Sequence, residues 1–346
     1  MKKTVITGAI LAAACLGTPH ASQTARDNGF LTINLAAGER KIVANPFVRP
    51  VVHEGTVTGS GSSSISESGA FTAGAFNEAA GDNKYELEIT SGRHIGLILP
   101  VLSNSVSTGF LNGTIPAQTK DGSTFVIRKS WTPGSLFGTN VGSVTNAGMK
   151  SATTANAATQ LQILDPLLNQ FTLSIFFRST SGEWRIASAP TTATNLYDVR
   201  LGPPAVFVLA QGGSAGTATP RMVGEVRKTR TLFPAGGGTS NYRTLIANPN
   251  HQAITLAAAG LFNTNGESSA TNSVKAATTA NVADELTKFN GQNNTTASYF
   301  RHTTSGDWRI SGTTTPSNTV AIAAGEGAIL KRNSTGQAHV AIDPTF

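Results

Sequence analysis

The chain repeats itself, and a repeat constrains architecture before any single motif does, because each copy has to rebuild the same supersecondary unit. Lys150-Ser151-Ala152-Thr153-Thr154-Ala155-Asn156-Ala157-Ala158 returns as Lys275-Ala276-Ala277-Thr278-Thr279-Ala280-Asn281-Val282-Ala283, and Leu161 returns as Leu286. Downstream, Phe177-Arg178 and Thr180-Ser181-Gly182-Glu183-Trp184-Arg185-Ile186 recur as Phe300-Arg301 and Thr304-Ser305-Gly306-Asp307-Trp308-Arg309-Ile310, with one residue inserted in the turn. Leu201 to Leu209 lines up with Ile322 to Leu330. Ile127-Arg128-Lys129 with Leu136-Phe137 echoes Val226-Arg227-Lys228 with Leu232-Phe233, placing boundaries near 126 and 223. The expected organisation is a signal peptide (1–21), an N-terminal β unit (26–125), repeat module 1 (126–222) and repeat module 2 (223–346). A weaker echo from Tyr85 to Lys129 makes the N-terminal unit a candidate diverged relative of the modules.

The local pattern of the repeat is that of strands. In Glu183-Trp184-Arg185-Ile186 a period of two puts Trp184 and Ile186 on one face and the charged pair on the other. With Ser174 to Arg178 before it, this segment reads as a hairpin turning on glycine. Asn281 to Leu286 reads as a short helical turn capped by Asn281. Charged residues are 13% of the 346, against roughly 25% in ordinary soluble chains. Long stretches therefore lack the Glu, Lys, Leu and Arg that support exposed helices. The fold class expected is all-β, in tandem antiparallel sandwich-like or barrel-like modules. Gly59 to Ser64 and Gly212 to Gly216 read as loops or linkers.

Met1-Lys2-Lys3 followed by the apolar run Thr4 to Gly17 is the pattern of an export signal, too short to span a bilayer. Cleavage is expected after Ala21 or Ala25, with lipidation at Cys15 the alternative. The product is expected in the periplasm, at the cell surface or outside the cell. Cys15, the single cysteine, lies in that signal, so neither a disulfide nor a thiolate metal site is expected in the mature chain. Removing Lys2 and Lys3 takes the formal charge from +7 to +5 with no basic cluster longer than Arg227-Lys228-Thr229-Arg230, and no nucleic-acid partner is expected. No later run of 18 apolar residues predicts a transmembrane helix. Phe346 ends the chain as in many outer-membrane barrels, but Pro344 interrupts the last strand.

A search for chemistry returns no catalytic, cofactor or metal signature. His20, His53, His94, His251, His302 and His339 lack metal-ligand spacing, and no nucleophile elbow or phosphate loop is present. Glu86 and Glu88 alternate on a probable strand and are expected on a solvated edge. Glu183 with Arg185, and Asp307 with Arg309, are expected as exposed pairs. Trp131, Trp184 and Trp308 are the candidate ligand-binding residues, as platforms for a sugar ring. For Trp184 and Trp308 the alternation with isoleucine favours the core instead, which leaves Trp131 the better surface candidate.

The phrases Gly29-Phe30-Leu31-Thr32-Ile33-Asn34-Leu35, Asn45-Pro46-Phe47-Val48-Arg49-Pro50, Gly55-Thr56-Val57 and Trp131 to Gly138 resemble an uncharacterised paralogous family of signal-bearing secreted proteins from Verrucomicrobia and related bacteria. Ala283-Asp284-Glu285-Leu286, Tyr299-Phe300, Gly306-Asp307-Trp308-Arg309 and Gly325-Glu326-Gly327 leading to Lys331-Arg332 extend the likeness. The resemblance implies secretion and β-structure and assigns no catalytic residue. The function expected is a non-enzymatic surface, matrix or binding component, its partner an extracellular glycan or cell-envelope polymer. A secreted polysaccharide hydrolase and a self-assembling structural subunit are the alternatives.

Overall fold

The computed structural model describes residues 28–68, 71–78, 83–92, 94–113, 115, 119, 122–165, 170–192, 194–202, 204–234, 242–250, 252–261, 274–290, 295–333 and 339–342. The expected export signal with Cys15, together with His20, His251 and Phe346, lies outside them. Along the chain run β1 (Asn28–Thr32), β2 (Arg40–Ala44), β3 (Phe47–Val48), β4 (Val51–Thr56), β5 (Gly59–Ser60), β6 (Ser64–Ser66), β7 (Tyr85–Ile89), β8 (Ile98–Asn104), β9 (Thr108–Leu111) and β10 (Thr124–Lys129). Two short helices follow, α1 (Pro133–Phe137) and α2 (Val141–Asn146). Then come β11 (Thr159–Asp165), β12 (Gln170–Arg178), β13 (Glu183–Ile186), β14 (Val206–Gln211), β15 (Arg221–Val226), β16 (Thr231–Pro234) and β17 (Tyr242–Ala247). The last strands are β18 (Ile254–Thr255), β19 (Glu285–Asn290), β20 (Thr295–Arg301), β21 (Trp308–Ile310), β22 (Ala321–Ile322), β23 (Gly327–Arg332) and β24 (His339–Ile342). The fold is all-β, in several antiparallel sheets.

Strand order shows three copies of one unit. The sheets run β13-β12-β11-β14-β2, then β21-β20-β19-β23-β17, and, within a seven-stranded sheet, β9-β8-β7-β10-β4. In each, one early strand pairs with the last strand, which pairs with the first of three consecutive meander strands, all antiparallel. The N-terminal unit therefore repeats the strand order of the two modules, extended by β6 and β5. Its glycine-serine run is not a linker: it forms the β5–β6 hairpin at that end of the sheet.

The copies are nested. Strand β2 occupies in its sheet the place that β17 holds in the other, while the whole seven-stranded unit, residues 51–129, lies between β3 and α1. The first module thus consists of residues 28–50 and 130–226, with another copy inserted between. The expected boundaries at 126 and 223 fall inside β10 and β15, because the shared Arg-Lys phrases end strands and do not separate units. The ladders β1–β15 and β16–β24 are likewise equivalent, each joining the strand before a copy to the strand after it.

Register corrects one detail of the repeat. Trp184 pairs with Phe177 and Trp308 with Arg301, so Phe177 corresponds to Arg301, Arg178 to His302, and the turn holds no insertion. The parallel bridges Ala152↔Arg178 and Ala277↔His302 agree with this. The repeated Phe-Arg pair is offset by one residue, and in a strand one residue reverses the face. The expected helical turn at Asn281 is a non-helical turn running into β19.

Walls are shared between cores. Val43, Phe207 and Leu209 face one core with Leu161, Phe177 and Trp184, whereas their neighbours Ile42, Ala44, Val206 and Val208 belong to another with Leu245, Ala247 and Ile329. Every residue of β14 is buried. The residues of β2 and β14 that meet the last module, Ile42, Ala44, Val206 and Val208, hold the positions of Leu245, Ala247, Gly327 and Ile329 there, and a Cβ on Gly327 would collide with Ile42. The two modules meet back to back through equivalent faces. In the β16–β24 ribbon, Leu232 and Ala341 join the core of the inserted copy, while Phe233, Val340 and Ile342 join that of the last. Alternation along a strand, which usually divides core from water, here divides one core from the next.

Candidate functional site

Glu86 and Glu88 alternate on β7, which lies between β10 and β8. Their neighbour Leu87 enters the core of the inserted copy, so the two carboxylates share the opposite face. That face is covered, not solvated: Glu86 is 7% and Glu88 2% exposed. The expected edge position is overturned because the strand is internal. Arg227, beyond β15, donates to Glu88 Oε1 at 2.7 Å, Thr229 Oγ1 donates to the same oxygen, and Arg128 Nε lies 3.6 Å from Oε2. Arg128 also pairs across the ladder with Glu86. Burial pushes the Glu86 carboxyl up to about 7 against the pull of Arg227, with the Glu88 charge pushing the same way and Arg200 and Arg128 opposing. Burial likewise lowers Arg128 and Arg200, offset in part by neighbouring carboxylates.

The cluster sits where the inserted copy joins its host. Arg128 donates to the Arg49 carbonyl at 2.7 Å and Arg49 to the Ser130 carbonyl at 3.3 Å, tying the incoming strand to the outgoing one. Arg200 donates to Ser130 Oγ and to the Tyr85 carbonyl, and Glu78 lies 3.7 Å from both Arg200 and Lys84. Host and insert are therefore clamped by charges taken from five separate stretches of chain.

Trp184 and Trp308 do not form platforms. Trp184 is 0% and Trp308 1% exposed. Trp184 Nε1 donates to the Gly138 carbonyl at 2.9 Å, and the ring meets Phe177 edge to face at 5.7 Å. A sugar ring has no approach to either face. The main-chain N–H of each is held by an asparagine, Asn195 for Trp184 and Asn318 for Trp308, a correspondence hidden by dissimilar flanking sequence. Trp131 is half-buried, donates to the Phe47 carbonyl at 3.1 Å, and carries the Arg49 guanidinium 5.6 Å from its ring centroid. That cation covers one face of the ring. Among the expected surface pairs, Arg185 is 8% exposed and bonds Glu183 and the Thr192 carbonyl, so it is interior. Asp307 is half-buried and is lowered first by the Asn318 hydrogen bond and then by that of Ser305.

A groove of about 380 Å³, which no repeat marks, is lined by Leu31 and Thr32 of β1, by Ile33 and Asn34 just after it, by Arg40 to Val43 of β2, and by the turn into β23. Gly325, at φ 65°, lets that turn lie against Leu31 and Ala44, where any Cβ would collide. Composition gives no signal for such a site, because it is made where two modules meet. Among the described residues, no group of three or more His, Cys, Asp or Glu is placed to hold a metal ion, and no helix is long and apolar enough to cross a membrane. Comparison with protein families, curated proteins and solved structures gives no match.

Proposed function

We propose that the chain is an exported, non-enzymatic β-modular protein, a binding or surface component of the cell envelope. The observation that carries this reading is the use made of its buried carboxylates: Glu88 is spent on Arg227, Arg128 and Thr229, and Glu86 lies beneath the same guanidiniums, where the inserted copy is clamped to its host. The resemblance to signal-bearing secreted proteins and the N-terminal export pattern support secretion. Binding of the mature protein to arrays of polysaccharides and cell-wall fragments tests it, alongside turnover assays on the same materials. Saturable binding without turnover is the expected result, and saturable turnover of any of them overturns the reading.

A second reading, a secreted polysaccharide hydrolase, is favoured by one observation. Glu86, raised to about 7 beside Glu88, is a pair of carboxyls in unlike environments, the arrangement that acid catalysis uses. Burial of both argues against it, since a glycosidic oxygen has to reach the acid. Hydrolysis lost in Glu86→Gln with folding intact would establish this second reading in place of the first.

A further inference from the structure

The groove is bounded by two strand edges that turn main-chain polar groups toward it, of which the Asn34 carbonyl already accepts from Lys41. In the β1–β15 ladder, Ile33 donates to Pro220 and Leu35 to Ala218, so the alternate residues Thr32 and Asn34 turn their main-chain N–H and C=O away from β15. In the β2–β14 ladder, Asn45 donates to Ala205 and Gln211 to Glu39, so Ile42 turns its N–H and C=O away from β14. Both outward edges line the same cavity. Pairing along β2 has already begun there: Ala44 donates to the Gly325 carbonyl at 2.8 Å and Val43 bridges Glu326 antiparallel, after which the chain turns off into β23. That bridge also engages the Ile42 carbonyl, so the Ile42 N–H is the next open position along the edge.

The side chains around it give the occupant its chemistry. Leu31, Ile33 and Ile42 supply apolar surface, and Arg40 and Lys41 supply positive charge. Arg40 donates to Gln162, and Lys41 to the Asn34 carbonyl, with Glu39 at 3.2 Å. The wall carboxylate, Glu326, is held by Lys288 at 3.2 Å and by the Ala323 N–H. Burial lowers Arg40 below the ordinary guanidinium range, so an anion arriving beside it would be stabilised.

We propose that this groove takes an extended peptide segment, added as a strand between the edges of β1 and β2 and directing an acidic side chain toward Arg40 and Lys41. Strand addition draws affinity from main-chain hydrogen bonds and specificity from pockets for alternate side chains, and the groove offers both. The proposal rests on the reading of the chain as a binding component and names the partner class of one site.

The test pans the full mature chain against a displayed library of random dodecapeptides, with the Ala324→Trp protein as counter-selection because residue 324 lines the groove. Peptides alternating apolar and acidic residues are expected to be enriched on the unmodified protein alone. Lys41→Glu is expected to weaken them about tenfold, as loss of one charge-assisted contact would. Methylating the central amide of an enriched peptide should abolish binding while leaving its side chains unchanged. Enrichment of no peptide, of basic peptides, or of peptides held equally by the Ala324→Trp protein overturns the proposal. Glycan capture by both proteins with no peptide enriched would leave the binding reading standing and remove the groove as a peptide site. Peptide capture abolished by Ala324→Trp, with glycan arrays blank, supports the groove and fails the glycan partner.

Discussion

The two buried carboxylates of β7 are neighbours in sequence with opposite demands. Glu88 is ion-paired, so Glu88→Gln leaves two buried guanidiniums uncompensated and is expected to cost about 3–5 kcal/mol in chemical denaturation. Glu86 is raised from 4.5 to about 7, so the folded chain holds a proton that the unfolded chain releases between those values. Its contribution to stability is complete below about pH 4.5 and falls as pH rises to about 7, by about 3 kcal/mol at ~1.4 kcal/mol per unit. Glu86→Gln is accordingly expected to raise the melting temperature at about pH 8 and leave it little changed near pH 4.5, and equal effects at both would refute this. A second residue-scale comparison comes from the repeat. Thr159 Oγ1 donates to Gln211 at 2.8 Å, and the equivalent positions in the last copy hold Asp284 and Arg332, 3.0 Å apart and almost wholly buried. Asp284→Ala is expected to cost about 3–5 kcal/mol, whereas the pair Asp284→Thr with Arg332→Gln is expected to recover most of it. Denaturant midpoints of the three proteins decide the matter.

At the level of elements, much of the sheet structure was legible. The alternation around Trp184 and Trp308 identifies hairpins and the rings' core face, and both rings lie there. Their burial predicts that Trp184→Ala costs about 3–5 kcal/mol in urea titration, through lost packing and an orphaned Gly138 carbonyl. What escaped the sequence was separated by the insertion. Ile42-Val43-Ala44-Asn45-Pro46 matches Leu245-Ile246-Ala247-Asn248-Pro249, and each asparagine side chain accepts from the N–H two residues on, Phe47 or Asn250. The match marks the true start of a copy, but the inserted residues 51–129 separate it from the rest of its module, so a repeat sought in contiguous blocks passes it by. Glu86 and Glu88 were misplaced for a related reason: a period of two shows that they share a face and says nothing of what covers it. The groove between β1 and β2 depends on two sheets meeting, which no local pattern records.

For the molecule as a whole, nesting and shared walls make three similar sheets into one body. The inserted copy is clamped to its host by the Glu88–Arg227 pair and its neighbours, the β16–β24 ribbon lies between two cores, and β14 is buried on both faces. None of the three units retains a complete surface without the others, unlike domains joined by linkers, which unfold separately. Differential scanning calorimetry of the mature chain near pH 6 tests this directly. A single transition, with calorimetric enthalpy equal to the van't Hoff enthalpy, is the result the shared-wall architecture predicts. Two or three separable transitions, or a ratio well above one, would show that the copies stand as independent domains and contradict it.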